Sequence, residues 1–436
     1  MKHSMLFRIF AAWCVAILAP EFGQAADAPA KKSPPNIVMI LSDDQGYRDY
    51  GFMGHHRIET PRLDELASQS LTFTHGYVPS SVCRPSLVSI VTGLYPHQHR
   101  ITSNDPPPNP DEAKRLQMRN EQIAYIDKSP TLPRLLAPLG YTSFQAGKWW
   151  EGHYNRGGFT EGMTHGDASR KGRHGDEGLQ IGRDGITPVR EFLDRTEGKP
   201  FLLWYAPMMP HLPHNAPERL VAKYREKASS KFVARYFATV EWFDETCGEV
   251  LDELDKRGLA DNTIVVYVTD NGWIQDPKSY QAGGRSKLSP YDGGLRTPIM
   301  VRWPGKVAPK MVPTPVSSID IAPTILDAVG LKPTADMEGV NLLDSQAVAD
   351  RKAIFGETFT HEAVDLHRPS TSLEHRWCVS MPWKLIIPNA ANEPDGQVEL
   401  FNIKQDPKEE VNLAAENPEV VAKLTKEIDD WWAAKD

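Results

Sequence analysis

Three unbroken apolar runs, Asn36–Ser42, Phe201–Ala206 and Thr263–Thr269, punctuate a chain whose intervening stretches follow a helical period. Runs this short and this apolar predict strands buried on both faces. Thr60-Pro61 opens a helical pattern through Leu63, Leu66 and Ala67, and further helical patterns cover Thr187 to Arg195, Lys231 to Gly258 and Ser318 to Val329, the last closed by Gly330. Strands alternating with helices predict an α/β fold with a mostly parallel central sheet flanked by helices. From Arg351 onward the pattern changes to short strands and a closing helix from Pro418 to Trp432, which predicts a smaller C-terminal α+β subdomain. The expected boundaries are 34–345 for the domain that carries the chemistry and 346–436 for the subdomain. Two segments rich in Gly, His and charge, Gly152 to Arg183 and Gln275 to Gly294, lack any period and predict long loops, where substrate contacts concentrate.

The first residues form a separate pattern. Lys2 and Arg8 precede an apolar stretch from Ile9 to Pro20, and Gly23-Gln24-Ala25 offers small residues for cleavage. This predicts a signal peptide over 1–25 and a periplasmic or extracellular protein. The apolar stretch is too short for a comfortable membrane span, so no stable membrane insertion is expected. A net charge of −8 argues against nucleic acid as a partner. It leaves anionic substrates open, because a metal and a few local cations can dominate a pocket.

Removal of Cys14 with the signal leaves Cys83, Cys247 and Cys378 of the four cysteines. Cys247 falls within a helical apolar pattern and Cys378 beside Trp377 and Val379, so both read as packing residues. Cys83 differs. In Ser81-Val82-Cys83-Arg84-Pro85-Ser86-Leu87 it precedes a Pro-Ser helix start, and Gly93 follows as a stop one short helix later. That places Cys83 beside a helix N-terminus, where backbone N–H groups and the helix dipole favour anions.

Acidic residues follow two of the apolar runs directly: Asp43-Asp44 after the first and Asp270-Asn271-Gly272 after the third. Asp, Asn and Gly are also ordinary turn residues. In a parallel sheet, however, ligands gather beyond the carboxyl ends of strands, so both clusters face one crevice. Three carboxylates there repel one another without a cation. An oxygen-only donor set suits Ca²⁺ or Mg²⁺ rather than zinc. The second run leads into Pro210-His211-Leu212-Pro213-His214; the flanking prolines fix His211 at the same level, making it a candidate general acid, while His214 reads as a surface residue. Lys148 and Lys287, taken singly, read as solvated lysines.

Taken in order, these residues resemble the sulfatase family of the alkaline-phosphatase-like superfamily. The resemblance spans nearly the whole mature chain: Pro35-Asn36-Ile37-Val38 to Asp43-Asp44, Cys83-x-Pro85-Ser86 with Thr92-Gly93, Gly147-Lys148-Trp149, Pro210-His211-x-Pro213, Asp270-Asn271-Gly272 and Lys287 before Tyr291-Asp292-Gly293-Gly294. The ending Glu399-Leu400-Phe401-Asn402, Asp406-Pro407 and Asn412-Leu413-Ala414 is similar to the family's. The resemblance implies a sulfuric ester hydrolase whose Cys83 is oxidised to formylglycine by a formylglycine-generating maturase. One hydroxyl of the aldehyde hydrate attacks the ester sulfur and the other expels sulfate. It implies Asp43, Asp44, Asp270, Asn271 and residue 83 as metal ligands, Lys148 and Lys287 on sulfate oxygens, and His211 near the leaving oxygen or the sulfate. A sulfated carbohydrate or another sulfate ester is the expected substrate, with Tyr154 and Trp273 as candidate sugar platforms. A phosphate or phosphonate ester hydrolase, and a sulfated-glycan-binding protein that never matures Cys83, are the alternatives.

Two positions depart from the family pattern. Leu87 stands where the core motif carries an arginine that aids maturation and braces the formylglycine, and Trp150 stands where a histidine follows Gly-Lys-Trp. The expectation is that Leu87 and Trp150 fill the space together, with Arg84, Arg100 or His153 as replacement cations.

Overall fold

In the computed structural model, which describes Met1 and residues 33–166, 176–196 and 198–436, the three apolar runs are neighbouring parallel strands at the centre of one sheet. The strands of this sheet are β1 (Asn36–Ser42), β2 (Leu71–Tyr77), β3 (Thr142–Gly147), β4 (Glu161–Gly162), β5 (Phe201–Ala206), β6 (Thr263–Thr269), β7 (Arg296–Arg302), β8 (Lys310–Val312) and β9 (Val316–Ser317). They lie in the order β4-β3-β5-β1-β6-β7-β2-β8, with β9 also paired to β2. Only the pairings of β7 with β6 and with β2 are antiparallel.

β1 is buried along its whole length and serves both faces of the sheet. Ile37, Met39 and Leu41 join Leu87, Val88 and Val91 on one face, while Val38 and Ile40 join Phe243, Cys247 and Val250 on the other. The two-residue alternation of a strand requires this division. Helix Pro61–Ser68 buries Leu63, Leu66 and Ala67, and helix Thr187–Arg195 covers its predicted span. The long helix closes at Lys256, with Arg257 as C-cap and Gly258 in the left-handed conformation at φ 65°. Sequence pattern missed β2, β3 and β7 because polar residues interrupt them. In β3, Gln145 is nonetheless fully buried, and its side-chain amide donates to the Gly147 carbonyl at 2.7 Å.

Four antiparallel strands form a second sheet: β10 (Ile354–Phe359), β11 (Leu373–Ser380), β12 (Trp383–Pro388) and β13 (Glu399–Asn402). Helix Pro418–Trp431 lays Leu424 and Ile428 on Cys378, Leu385 and Leu400. Pro34 to Asp436 forms one compact unit. The expected signal peptide lies outside the described residues, apart from Met1, and among the described residues no helix is long and apolar enough to cross a membrane.

A buried charge network ties the second sheet to the first. Lys384 on β12 reaches Asp292 Oδ1 at 2.9 Å and Glu409 Oε1 at 2.7 Å, and Tyr77 at the end of β2 donates to Asp292 Oδ2 at 3.1 Å. Removing the lysine leaves Glu409 buried without its cation and Asp292 with only Arg296 at 3.5 Å. Lys384→Ala is expected to cost about 3–5 kcal/mol in urea unfolding, whereas an exposed lysine such as Lys332 should tolerate alanine with a change under about 0.5 kcal/mol.

Candidate active site

β1 and β6 end side by side, so Asp43-Asp44 and Asp270-Asn271 share one buried pocket floor. The Asp44 amide donates to Asp270 Oδ1 at 3.2 Å, and Asn271 Nδ2 donates to Asp44 Oδ1 at 2.7 Å. Asp44 holds this position with φ 58°, a left-handed conformation that aspartate accepts more readily than most residues. The turn after β5 closes the same corner, since the Asp43 amide donates to the Met209 carbonyl at 3.0 Å.

Both lysines enter this cluster rather than solvent. Lys148 Nζ bridges Asp43 Oδ1 at 2.7 Å and Asp270 Oδ2 at 3.0 Å, and Lys287 Nζ lies 2.7 and 2.9 Å from the two Asp44 oxygens. Lys148 can turn inward because Gly147 has φ 108° and lies against the Ala206 carbonyl, where a Cβ would come within 2.0 Å of the oxygen. His211 Nδ1 sits 2.8 Å from the Leu212 carbonyl, which can only accept, so that nitrogen carries the hydrogen. Nε2 then faces Asp44 Oδ2 at 3.5 Å.

Cys83 is the first residue of helix Cys83–Thr92 and is buried. Its sulfur and carboxylate oxygens of Asp43 and Asp270 lie within 4.8 Å of one another, as do ligand atoms of Asp43, Asp44 and His211. Burial pushes the thiol up to about 11, so it is protonated at neutral pH. Burial would also raise Asp44, but Lys287, His211 and Lys148 hold it down at about 2. Burial, reinforced by the Asp43 carboxylate, pushes Asp270 upward. Asp43 Oδ2 and Asn271 Oδ1 are buried without a hydrogen-bond partner. Two orphaned oxygens among three carboxylates fit a hard divalent cation held by oxygen ligands.

Several expectations need correction. His214 is buried, not a surface residue, and packs 5.4 Å from the Tyr236 ring. Trp273 is also buried, packed among Tyr236, Phe237 and Val240, with its indole N–H donating to Gln275. Tyr154 is partly buried, its ring tilted against His153 with centroids 4.3 Å apart, in a short 3-10 turn. Leu87 and Trp150 are buried in the same apolar cluster. The replacement cations are engaged elsewhere. Arg84 is wholly buried and clamps both Glu151 oxygens at 2.7 Å, with Gln122 Oε1 at 2.5 Å. Arg100 donates to the His367 carbonyl at 2.6 Å, and His153 packs against His165 at 5.4 Å.

A mostly parallel α/β sheet thus brings carboxylates, paired lysines and a helix-start cysteine together beyond its strand ends, an arrangement of charge that suits binding of a tetrahedral oxyanion. The sulfatase family model matches residues 35–331, and the C-terminal model of N-sulphoglucosamine sulphohydrolase matches 286–433. The chain belongs to the sulfatase family and is a sulfuric ester hydrolase. It is 29% identical to N-acetylgalactosamine-6-sulfatase of Rattus norvegicus over 83% of this chain and 74% of the relative. It is 26% identical to an ulvan-active sulfatase of Formosa agariphila over 75% and 68%. The crystal structure of Ps i-CgsB has the same fold, with a TM-score of 0.75, 24% identity and coverage of 93% and 94%.

Sequence reasoning did not find Glu151 or Gln122, because nothing local marks a carboxylate as the partner of an arginine 67 residues away. Their pairing with Arg84 fixes the residue next to Cys83. Arg84→Ala is expected to destabilise the protein by about 3–5 kcal/mol through the unpaired Glu151. Arg84→Met with Glu151→Leu should recover most of that loss in chemical denaturation.

Proposed function

We propose that the protein removes sulfate from a sulfated carbohydrate outside the cytoplasm, with Cys83 as the precursor of a formylglycine nucleophile. The observation that carries this reading is the meeting of the Cys83 sulfur with Asp43 and Asp270 within 4.8 Å, beside the buried Lys148 and the partly buried Lys287. The carbohydrate class comes from the relatives named above, which act on an N-acetylgalactosamine 6-sulfate and on ulvan according to their names. Residues 34–345 would carry the chemistry, and 346–436 would brace it through the Lys384 network. Asp43, Asp44, Asp270 and Asn271, with residue 83, would hold a divalent cation, for which Ca²⁺ is the first choice and Mg²⁺ the second.

When present, the cation supplies Lewis-acid stabilisation of charge on the sulfate group, and the aldehyde hydrate derived from residue 83 supplies the attacking oxygen. The chain's own groups do the rest. Lys148 and Lys287 are held charged by the carboxylates around them, against the opposing effect of burial. Each would present its ammonium to a sulfate oxygen, offsetting the charge that builds there. His211 keeps its Nδ1 hydrogen on the Leu212 carbonyl, and its Nε2 would donate to the sulfate or the leaving oxygen only after taking up a proton, which burial disfavours. Leu87 and Trp150 exclude water where the family pattern has polar groups.

Peptide mass spectrometry of Cys83 in protein from its native host tests the nucleophile: an aldehyde is expected, and an unmodified thiol throughout would remove it. Cys83→Ala should abolish aryl sulfate turnover, and Lys148→Ala or Lys287→Ala should each lower kcat about 10²- to 10³-fold. Equal or faster turnover of an aryl phosphate would instead favour the phosphate-ester alternative. Chelation is expected to lower both activity and the melting temperature, with Ca²⁺ restoring both better than Mg²⁺ in differential scanning calorimetry.

A further inference from the structure

A second candidate binding site has a lining separate from the residues around Cys83. The Cys83 helix packs on the face formed by Ile37, Met39 and Leu41, whereas helix Lys231–Lys256 packs on the face of Val38 and Ile40. Phe237 of that second helix lines a cavity of about 1060 Å³, closed on its other sides by the loop after β1 and by residues of the C-terminal sheet and its turns. None of Asp43, Asp44, Cys83, Lys148, His211, Asp270, Asn271 or Lys287 lines it.

Its lining is one-sided in charge. Arg48, Arg57, Arg296 and Lys404 contribute four permanent cations, joined by three histidines, and none of the described lining residues is an aspartate or glutamate. Among the described residues Arg48, Arg57 and Lys404 form no ion pair, while Arg296 reaches a carboxylate only at 3.5 Å, on Asp292. Two of the cations are pre-positioned: Arg48 Nε donates to the Tyr47 hydroxyl at 2.8 Å, and the Arg296 guanidinium lies 4.3 Å over the Tyr47 ring. Fixed guanidinium groups suit oxyanions bearing several acceptor oxygens.

We propose that this cavity is an accessory oxyanion-binding site that takes sulfate ester groups of a polysulfated carbohydrate, at residues distinct from those around Cys83. The assignment rests on the reading that the substrate is a sulfated carbohydrate. The volume is that of a site for a multi-ring ligand, far more than one ion needs. The cations are spread around its rim, with Arg57 and Lys404 exposed to solvent, rather than gathered into a closed cage. Inorganic sulfate and phosphate present the same tetrahedral oxygens, so the test separates them from the ester.

The full chain carrying Cys83→Ala, which leaves the probe intact, is titrated calorimetrically with a heparin-derived hexasaccharide, its desulfated counterpart, sodium sulfate and sodium phosphate. The sulfated hexasaccharide should bind at least tenfold more tightly than the other three. Arg57→Glu with Lys404→Glu should weaken it at least tenfold, while Lys332→Glu, an exposed reversal outside the cavity, should change it less than twofold. Both mutated cavity residues are exposed, and an unchanged circular dichroism melting curve confirms the fold of the double variant. Failure of the sulfated probe to bind, equal loss with Lys332→Glu, or no loss with the double variant would overturn the site. Inorganic sulfate or phosphate binding as tightly as the hexasaccharide would overturn the carbohydrate assignment. Aryl sulfate turnover by the wild-type chain, whose substrate has no second sulfate, reports separately on the catalytic reading.

Discussion

The candidate active site answers to the crowding of three buried carboxylates. β1 and β6 are parallel neighbours in matched register, so the aspartates that follow them are forced together at one level of the sheet. Burial makes each charge costly and proximity makes the three repel. Lys148 from the end of β3 and Lys287 from a long loop enter because they offset that repulsion. The same electrostatics that hold the lysines in place make them available to a tetrahedral anion. Stability and chemistry here are two consequences of one charge arrangement.

The fold meets that constraint twice more away from the pocket. Arg84 and Glu151 form a fully buried bidentate pair behind the Cys83 helix, and Lys384 with Asp292 and Glu409 joins the two sheets. In each case the remaining donors or acceptors find partners, such as Gln122 for Arg84 and Tyr77 for Asp292. Buried ions of this kind add little net stability compared with apolar packing, but losing one partner is severe. They therefore fix geometry: one holds the start of the Cys83 helix, the other the seat of the smaller sheet. The loss of polar character at Leu87 and Trp150 is compatible with this arrangement, because both side chains join the apolar cluster that supports the helix.

The parts legible from sequence were those set by local pattern. Short, continuous apolar runs fit strands covered on both sides, so β1, β5 and β6 were found residue for residue, and the acidic residues after β1 and β6 lay at strand ends. Gly93 as a helix stop followed from the left-handed conformation that glycine adopts freely, and its φ is 69°. β2 and β3 escaped because His75, Gly76, Ser143 and Gln145 break the pattern, and only pairing with distant strands explains why they are strands.

Chain order thus determined the three central strands, the start of the Cys83 helix and the acidic strand ends, since each depends on neighbours within a few residues. Tertiary structure alone decided that His214 and Trp273 are core residues, that Lys148 and Lys287 point inward, and that Arg84 belongs to Glu151. The physical reason is common to all of them. Burial of a polar or aromatic side chain is governed by which partners arrive from elsewhere in the chain, and a charge separated from its partner by 67 residues carries no local mark of it.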